Sequence, residues 1–328
     1  MLITIIGGSG FIGTRLCKRL QGDGIEFTIV DKVLSNTFPE RTVQCDIRNL
    51  DELSKKLSGD VIINLAAEHR DDVTPRSLYD DVNVQGAKNV CEAAERNHID
   101  TIVFTSSVAV YGFAPIGTDE TGEIHYFNDY GRTKSEAEKV YRAWFERDPE
   151  NRKLVIIRPT VVFGEQNRGN VYNLLKQISS NIFIMVGSGK NVKSMAYVEN
   201  VAAFIEYSLS FDKGFHLYNY VDKPDFDMNA LVKTVYEELG RKSFTNMHLP
   251  YWMGYSGGKL FDLLALISHK KLTISSIRVK KFCENTCFNT SIAKTGFKPP
   301  VSIEEGIRRT IQYEFLDRND HNQLFYTE

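Results

Sequence analysis

The chain has 328 residues, 42% of them hydrophobic, enough for one large α/β unit or two modest ones with an extensive core. Its 40 Lys+Arg nearly balance 42 Asp+Glu, for a net charge of −2, which argues against nucleic acid as a main partner. Five scattered cysteines read as reduced thiols of a cytoplasmic protein, and Cys283 and Cys287 lack the second ligand pair a zinc site needs, so no metal is expected.

Leu2-Ile3-Thr4-Ile5-Ile6 is apolar and β-branched, as in a buried central strand of a parallel sheet. It lacks the basic flank of a signal peptide and runs straight into Gly7-Gly8-Ser9-Gly10-Phe11-Ile12-Gly13. Glycines at 7, 10 and 13 permit a tight turn, close approach of backbone to a pyrophosphate and close helix packing, with a helix expected from near Thr14. The unpaired N–H groups of that helix face the phosphates. A second strand, Glu26 to Val30, delivers Asp31, where a carboxylate accepts both hydroxyls of a ribose and repels a 2′-phosphate, favouring NAD(H) over NADP(H). A third ends near Val43-Gln44-Cys45-Asp46-Ile47, placing Asp46 beside the adenine position or capping the next helix. A fourth, Val61 to Ala67, finishes in Leu65-Ala66-Ala67, small residues where backbone must approach a cofactor. His69 reads as an ordinary loop residue. Asn83 to Ala94 is an amphipathic helix, and Thr101 to Ser107 a fifth strand. Such alternation predicts a doubly wound parallel sheet with ligands at the carboxyl ends of its strands.

Tyr130-Gly131-Arg132-Thr133-Lys134 opens the next helix, and residues four apart share a face. An ammonium beside a phenol lowers its pKa, giving a general base for a sugar or alcohol hydroxyl, with Ser107 holding the same oxygen. Further on, Glu165 to Asn173 is dense in amides that can read uracil or sugar hydroxyls, with Asn170 facing substrate or capping a helix. Phe215 to Tyr220 reads as a strand returning to the main sheet, and Met228 to Leu239 as an amphipathic helix. Leu260 to Ile267, with Tyr251, Trp252 and Met253 before it, is too short for a membrane span. It is expected to pack on its own domain or a second subunit, or to lie on a membrane surface.

These motifs, with Ile157-Arg158-Pro159, Phe163-Gly164, Gly187-Ser188-Gly189-Lys190, Tyr197 to Ala202 and Ser291 to Pro299, resemble the extended short-chain dehydrogenase/reductase family, in its nucleotide-sugar epimerase/dehydratase branch. The resemblance implies a Rossmann domain over 1–164, its sheet completed by 195–222, and a smaller C-terminal substrate-binding domain over 165–328. It also implies bound NAD, a homodimer and a role in polysaccharide biosynthesis. By position it makes Ser107, Tyr130 and Lys134 catalytic, Lys134 also holding the nicotinamide ribose, and places Lys193 and Arg278 on the substrate diphosphate. Sugar dehydratases of the branch carry an acidic pair where this chain has Val108-Ala109, which disfavours dehydration. Many 4-epimerases carry arginine-aspartate where it has Lys193-Ser194, a basic-serine pair that also resembles 4-keto-sugar reductases. The expected activity is 4-epimerisation of a UDP-linked hexose; the alternatives are an NAD(P)H-dependent 4-keto-sugar reductase and, less favoured, a non-catalytic NAD sensor.

Overall fold

A computed structural model describes the chain except residues 71–72, 181–182, 242–247, 269–275, 320–322 and 328. Seven parallel strands form the main sheet, in the order Gly214–Tyr220, Lys153–Pro159, Thr101–Thr105, Val61–Asn64, Leu2–Ile6, Glu26–Asp31, Thr42–Gln44. The strand order reverses at Leu2–Ile6, so the crevice between its carboxyl end and that of Val61–Asn64 is where such a sheet takes a ligand.

Alternate residues of each strand feed two cores. Ile3, Ile5, Ile29, Ile63, Val103 and Val155 face one way, against the helices Phe11–Gly22 and Val198–Tyr207. Ile6, Val30, Ile62, Ile102, Phe104 and Ile156 face the other way, against Gly86–Arg96 and Asp129–Glu146. Strands apolar on both sides are what burial between two helical layers requires. The first helix begins at Phe11, not near Thr14, so Gly13 lies within its first turn. The fourth strand stops at Asn64, whose side-chain oxygen accepts from the Ala66 N–H at 3.1 Å and bends Leu65-Ala66-Ala67 across the glycine turn.

The later part of the chain builds a third core from Phe163, Leu175, Met185, Tyr197, Leu231 and Ile307. It gathers the helices Asn170–Ser179, Met228–Glu238 and Ile303–Ile311. Met195–Tyr197 pairs with Val161–Phe163 outside the main sheet, while Gly214–Tyr220 joins it beside Lys153–Pro159.

Candidate active site

A cleft of about 850 Å³ opens at the reversal point and runs from the glycine turn to Tyr130, Ser194 and Phe288. Gly7, Gly10, Phe11, Ile12, Gly13, Asp31, Asp46, Ile47, Leu65, Ala66 and Ala67 all border it. Gly7 has φ +80°, and a Cβ there would stand 2.6 Å from the Ala66 nitrogen, so only glycine lets the two loops meet. Asp31 is held in place by the N–H groups of Ser9 and Val33, each donating over 3.1 Å, and keeps lone pairs free for ribose hydroxyls. Arg48 pairs with Asp46 at 2.7 Å and draws its carboxyl below the ordinary range. A glycine floor, an acid at the end of the second strand and an apolar wall fit a dinucleotide with free ribose hydroxyls.

At the far end the helix Asp129–Glu146 starts on an Asn128 cap, which accepts from the Gly131 N–H at 2.9 Å. A Cβ on Gly131 would lie 2.4 Å from the Ala109 carbonyl oxygen. That missing atom lets the helix press on the turn Val108–Tyr111 and brings Tyr130 beside Ser107 at the end of the cleft. Lys134 Nζ donates to the Thr105 carbonyl at 2.7 Å and stands 6.0 Å from the centre of the Tyr130 ring. Asn83 ties the helix to the loop after the fourth strand, donating to Thr133 Oγ1 and the Glu68 carbonyl, both at 2.9 Å.

The expected acidification of Tyr130 is not met. Burial pushes its phenol up to about 12, with the Ser107 hydrogen bond pulling the other way. Lys134 is itself pushed down to about 7 by burial, so at neutral pH only part of it carries the charge that would stabilise a phenolate.

Behind these groups lies a buried polar cluster. Arg158 donates to Glu138 (Nε to Oε1, 2.8 Å) and to the Tyr111 hydroxyl at 2.6 Å. Tyr111 donates to Asn219 at 2.8 Å, and Ser106 also reaches Glu138. Tyr111 is thus engaged away from the cleft.

Of the residues expected on the substrate, Asn170 borders the cleft as the first helical residue, the cap position being Gly169. Lys193 points its Nζ at the Glu284 carbonyl, 2.7 Å away, and does not line the cleft, so its assignment to the diphosphate is not supported. Arg278 lies in the helix Ser276–Cys283, its side chain outside the described residues. Ser194, paired with Lys193 in the sequence reading, lines the cleft, and so do residues that reading left aside: His69, Thr286, Phe288 and Thr327. Burial lowers the His69 pKa, favouring the neutral ring. Only proximity in sequence to Ala67 could have flagged His69, and nothing flagged the others.

A family model described as the NAD dependent epimerase/dehydratase family matches residues 3–220. A curated protein of Escherichia coli O157:H7, N-acetyl-alpha-D-glucosaminyl-diphospho-ditrans,octacis-undecaprenol 4-epimerase, is 49% identical over 99% of both chains. UDP-glucose 4-epimerase of Vibrio cholerae is 26% identical, with 97% of this chain and 96% of that one covered. The crystal structure of a Thermotoga maritima UDP-glucose 4-epimerase with UDP-glucose shares the fold, at a TM-score of 0.73 and 20% identity over 95% of this chain and 98% of that one.

Proposed function

The chain belongs to the NAD dependent epimerase/dehydratase family, and from that membership we propose that it is an NAD-dependent 4-epimerase of a hexose carried on a diphosphate. The observation that carries this reading is the convergence of Ser107, Tyr130 and Lys134 at the end of a cleft floored by the glycine turn. Val108 and Ala109, which also line it, offer no acid for eliminating water.

Two carriers share the chemistry. The 49% identical relative is named for N-acetylglucosamine on undecaprenol diphosphate, and we take a polyprenol-linked N-acetylhexosamine as the first reading. The 26% identical relative is named for UDP-glucose, which keeps the UDP-hexose expected from the sequence as the second. Both belong to polysaccharide biosynthesis.

Bound in the cleft, NAD supplies the acceptor and later donor of the C4 hydride, and a positive charge. As its phenolate, which the positive charge of NAD would favour against the effect of burial, Tyr130 accepts the proton of the sugar 4-hydroxyl and gives it back after the sugar has presented its other face. Ser107 donates a hydrogen bond to the same oxygen and fixes its distance from the phenol. Lys134, anchored on the Thr105 carbonyl, holds the cofactor ribose. The glycine turn, Asp31 and the loop Leu65-Ala66-Ala67 hold the remaining cofactor, so that residues 1–164 with 195–222 serve the dinucleotide. The rest of 165–328 receives sugar and carrier. A homodimer working in the cytoplasm belongs to the same reading, and light scattering tests its mass.

The test is incubation of the purified protein, without added cofactor, with GlcNAc-diphospho-polyprenol and with UDP-GlcNAc, followed by NMR at C4. Interconversion of epimers by protein that carries tightly held NAD is expected. Stoichiometric NADH consumption with a 4-keto sugar would make it a reductase, and no turnover with NAD bound would make it a sensor.

A further inference from the structure

The helix Tyr251–Ser268 is apolar on its exposed side as well as where it packs, unlike a water-facing element. Its buried positions include Gly254 and Gly258, and a Cβ on Gly254 would sit 2.5 Å from Val186 Cγ1. Large apolar side chains among its described residues point outward: Trp252 is 67% exposed, Leu260 58% and Leu266 71%. The helix Ser276–Cys283 packs beside it and adds Ile277, 61% exposed. Between 251 and 283 the sequence holds Lys259, Lys270, Lys271, Arg278, Lys280 and Lys281 against the single acid Asp262, in a chain that is slightly acidic overall. Among the described residues no helix is long and apolar enough to cross a membrane. Outward aromatic and aliphatic side chains within a basic segment suit the boundary of an anionic bilayer.

The position of this hairpin matters as much as its composition. Lys280 Nζ lies 5.9 Å from the ring of Phe113, which follows Tyr111-Gly112 and packs on Phe127 at 4.8 Å. Thr286, three residues beyond the second helix, lines the cleft. The second helix therefore lies next to the loop after Tyr111-Gly112 and leads into the cleft lining at Thr286.

We infer that the helices Tyr251–Ser268 and Ser276–Cys283 seat the protein on an anionic bilayer surface, with the mouth of the cleft at the level of the lipid headgroups. Resting on the lipid-linked reading, this seat presents a sugar diphosphate to Tyr130 while its polyprenyl tail stays in the membrane. A second copy of the chain is the poorer occupant, because a two-fold contact would set the same basic segment against itself.

Vesicles of phosphatidylethanolamine and phosphatidylglycerol, free of substrate, test the seat by co-sedimentation and by tryptophan emission. Only two tryptophans exist, and Trp144 is fully buried, so a blue shift reports Trp252. The wild type is expected to sediment with a blue shift, and the combined variant Trp252→Glu, Leu260→Glu, Leu266→Glu to partition about tenfold less or weaker still. A milder set, Trp252→Ser with Leu260→Ser, serves if the first fails to fold, and should bind less than wild type. The variants should keep wild-type turnover on a GlcNAc diphosphate with a short, water-soluble isoprenoid tail, and lose it on the long-chain substrate in vesicles. Wild type left in the supernatant, or variants that sediment equally, overturn the proposal. So does a wild-type dimer that the variant splits while neither binds vesicles. Vesicle binding with turnover confined to UDP-sugars supports the seat and removes the lipid-linked reading instead.

Discussion

Lys134 is 2% exposed, with its Nζ on the Thr105 carbonyl and 4.7 Å from the Phe104 ring centre, and burial takes its pKa to about 7. A lysine whose folded pKa lies below its unfolded value of 10.5 costs stability. The cost is full below about pH 7 and fades as pH rises toward the unfolded value, where the unfolded chain also gives up the proton. Lys134→Met therefore separates stability from activity. The variant should unfold at higher denaturant at pH 6, by roughly 1–3 kcal/mol after the lost Thr105 hydrogen bond is deducted. The gap should narrow between pH 8 and 10, while turnover falls at every pH. Equal stability at pH 6 would mean that burial does not depress the Lys134 pKa in the fold. Tyr130 carries the complementary expectation. Tyr130→Phe removes only the proton acceptor, so sugar should still bind while kcat drops by about 10²–10⁴. A variant retaining most of its turnover would take the base away from this phenol.

The strands were legible as elements because burial between two helical layers leaves its mark on every residue of Leu2–Ile6, Val61–Asn64 and Thr101–Thr105. Their ends were less so. Leu65-Ala66-Ala67 is as apolar as the strand before it, and only the Asn64 side chain, bonded to the Tyr141 hydroxyl at 2.6 Å, turns it out of the sheet. The physical task of Gly131 is not legible in the motif around it, since the atom it must avoid, the Ala109 oxygen, is known only once the helix is docked. Gly131→Ala tests that task. Helix propensity favours alanine by up to about 1 kcal/mol, so a local helix effect alone would raise stability. The clash predicts the reverse: lower thermal stability and at least about tenfold lower turnover, because Tyr130 is pushed from Ser107. The buried pair beneath the same helix sets a second expectation. Arg158→Met leaves the buried Glu138 carboxylate without its guanidinium partner and should destabilise by about 3–5 kcal/mol, read from chemical denaturation.

Across the whole molecule, the cofactor half of the cleft was readable because its residues lie in short runs after successive strands, where topology brings them together. The other half was not. Ser194, Thr286, Phe288 and Thr327 come from separate segments of the later chain, and no local pattern reveals which of them meet. Lys193 shows the converse, since a cation in the expected register is turned to a backbone carbonyl by its own surroundings. The last of those segments carries a further consequence. Phe325 is clamped to the loop before Asn170–Ser179, its N–H donating to the Gln166 carbonyl at 2.9 Å and its carbonyl accepting from the Arg168 N–H at 2.7 Å. Thr327 donates to Asn167 Oδ1 at 2.7 Å, and the Phe325 ring lies 5.6 Å from that of Phe11 in the glycine turn. The tail thus forms one wall of the cleft through Thr327, and Phe325 packs on the edge of the third core. Removing residues 325–328 should leave the melting temperature within a few degrees, since the side chains of Phe325, Tyr326 and Thr327 are exposed or half-buried. It should also speed NAD release by about tenfold, as the wall beside Phe11 opens. Stopped-flow loss of bound-cofactor signal checks this, and an unchanged release rate in a folded truncated protein would show that the tail covers the turn without retaining what it holds.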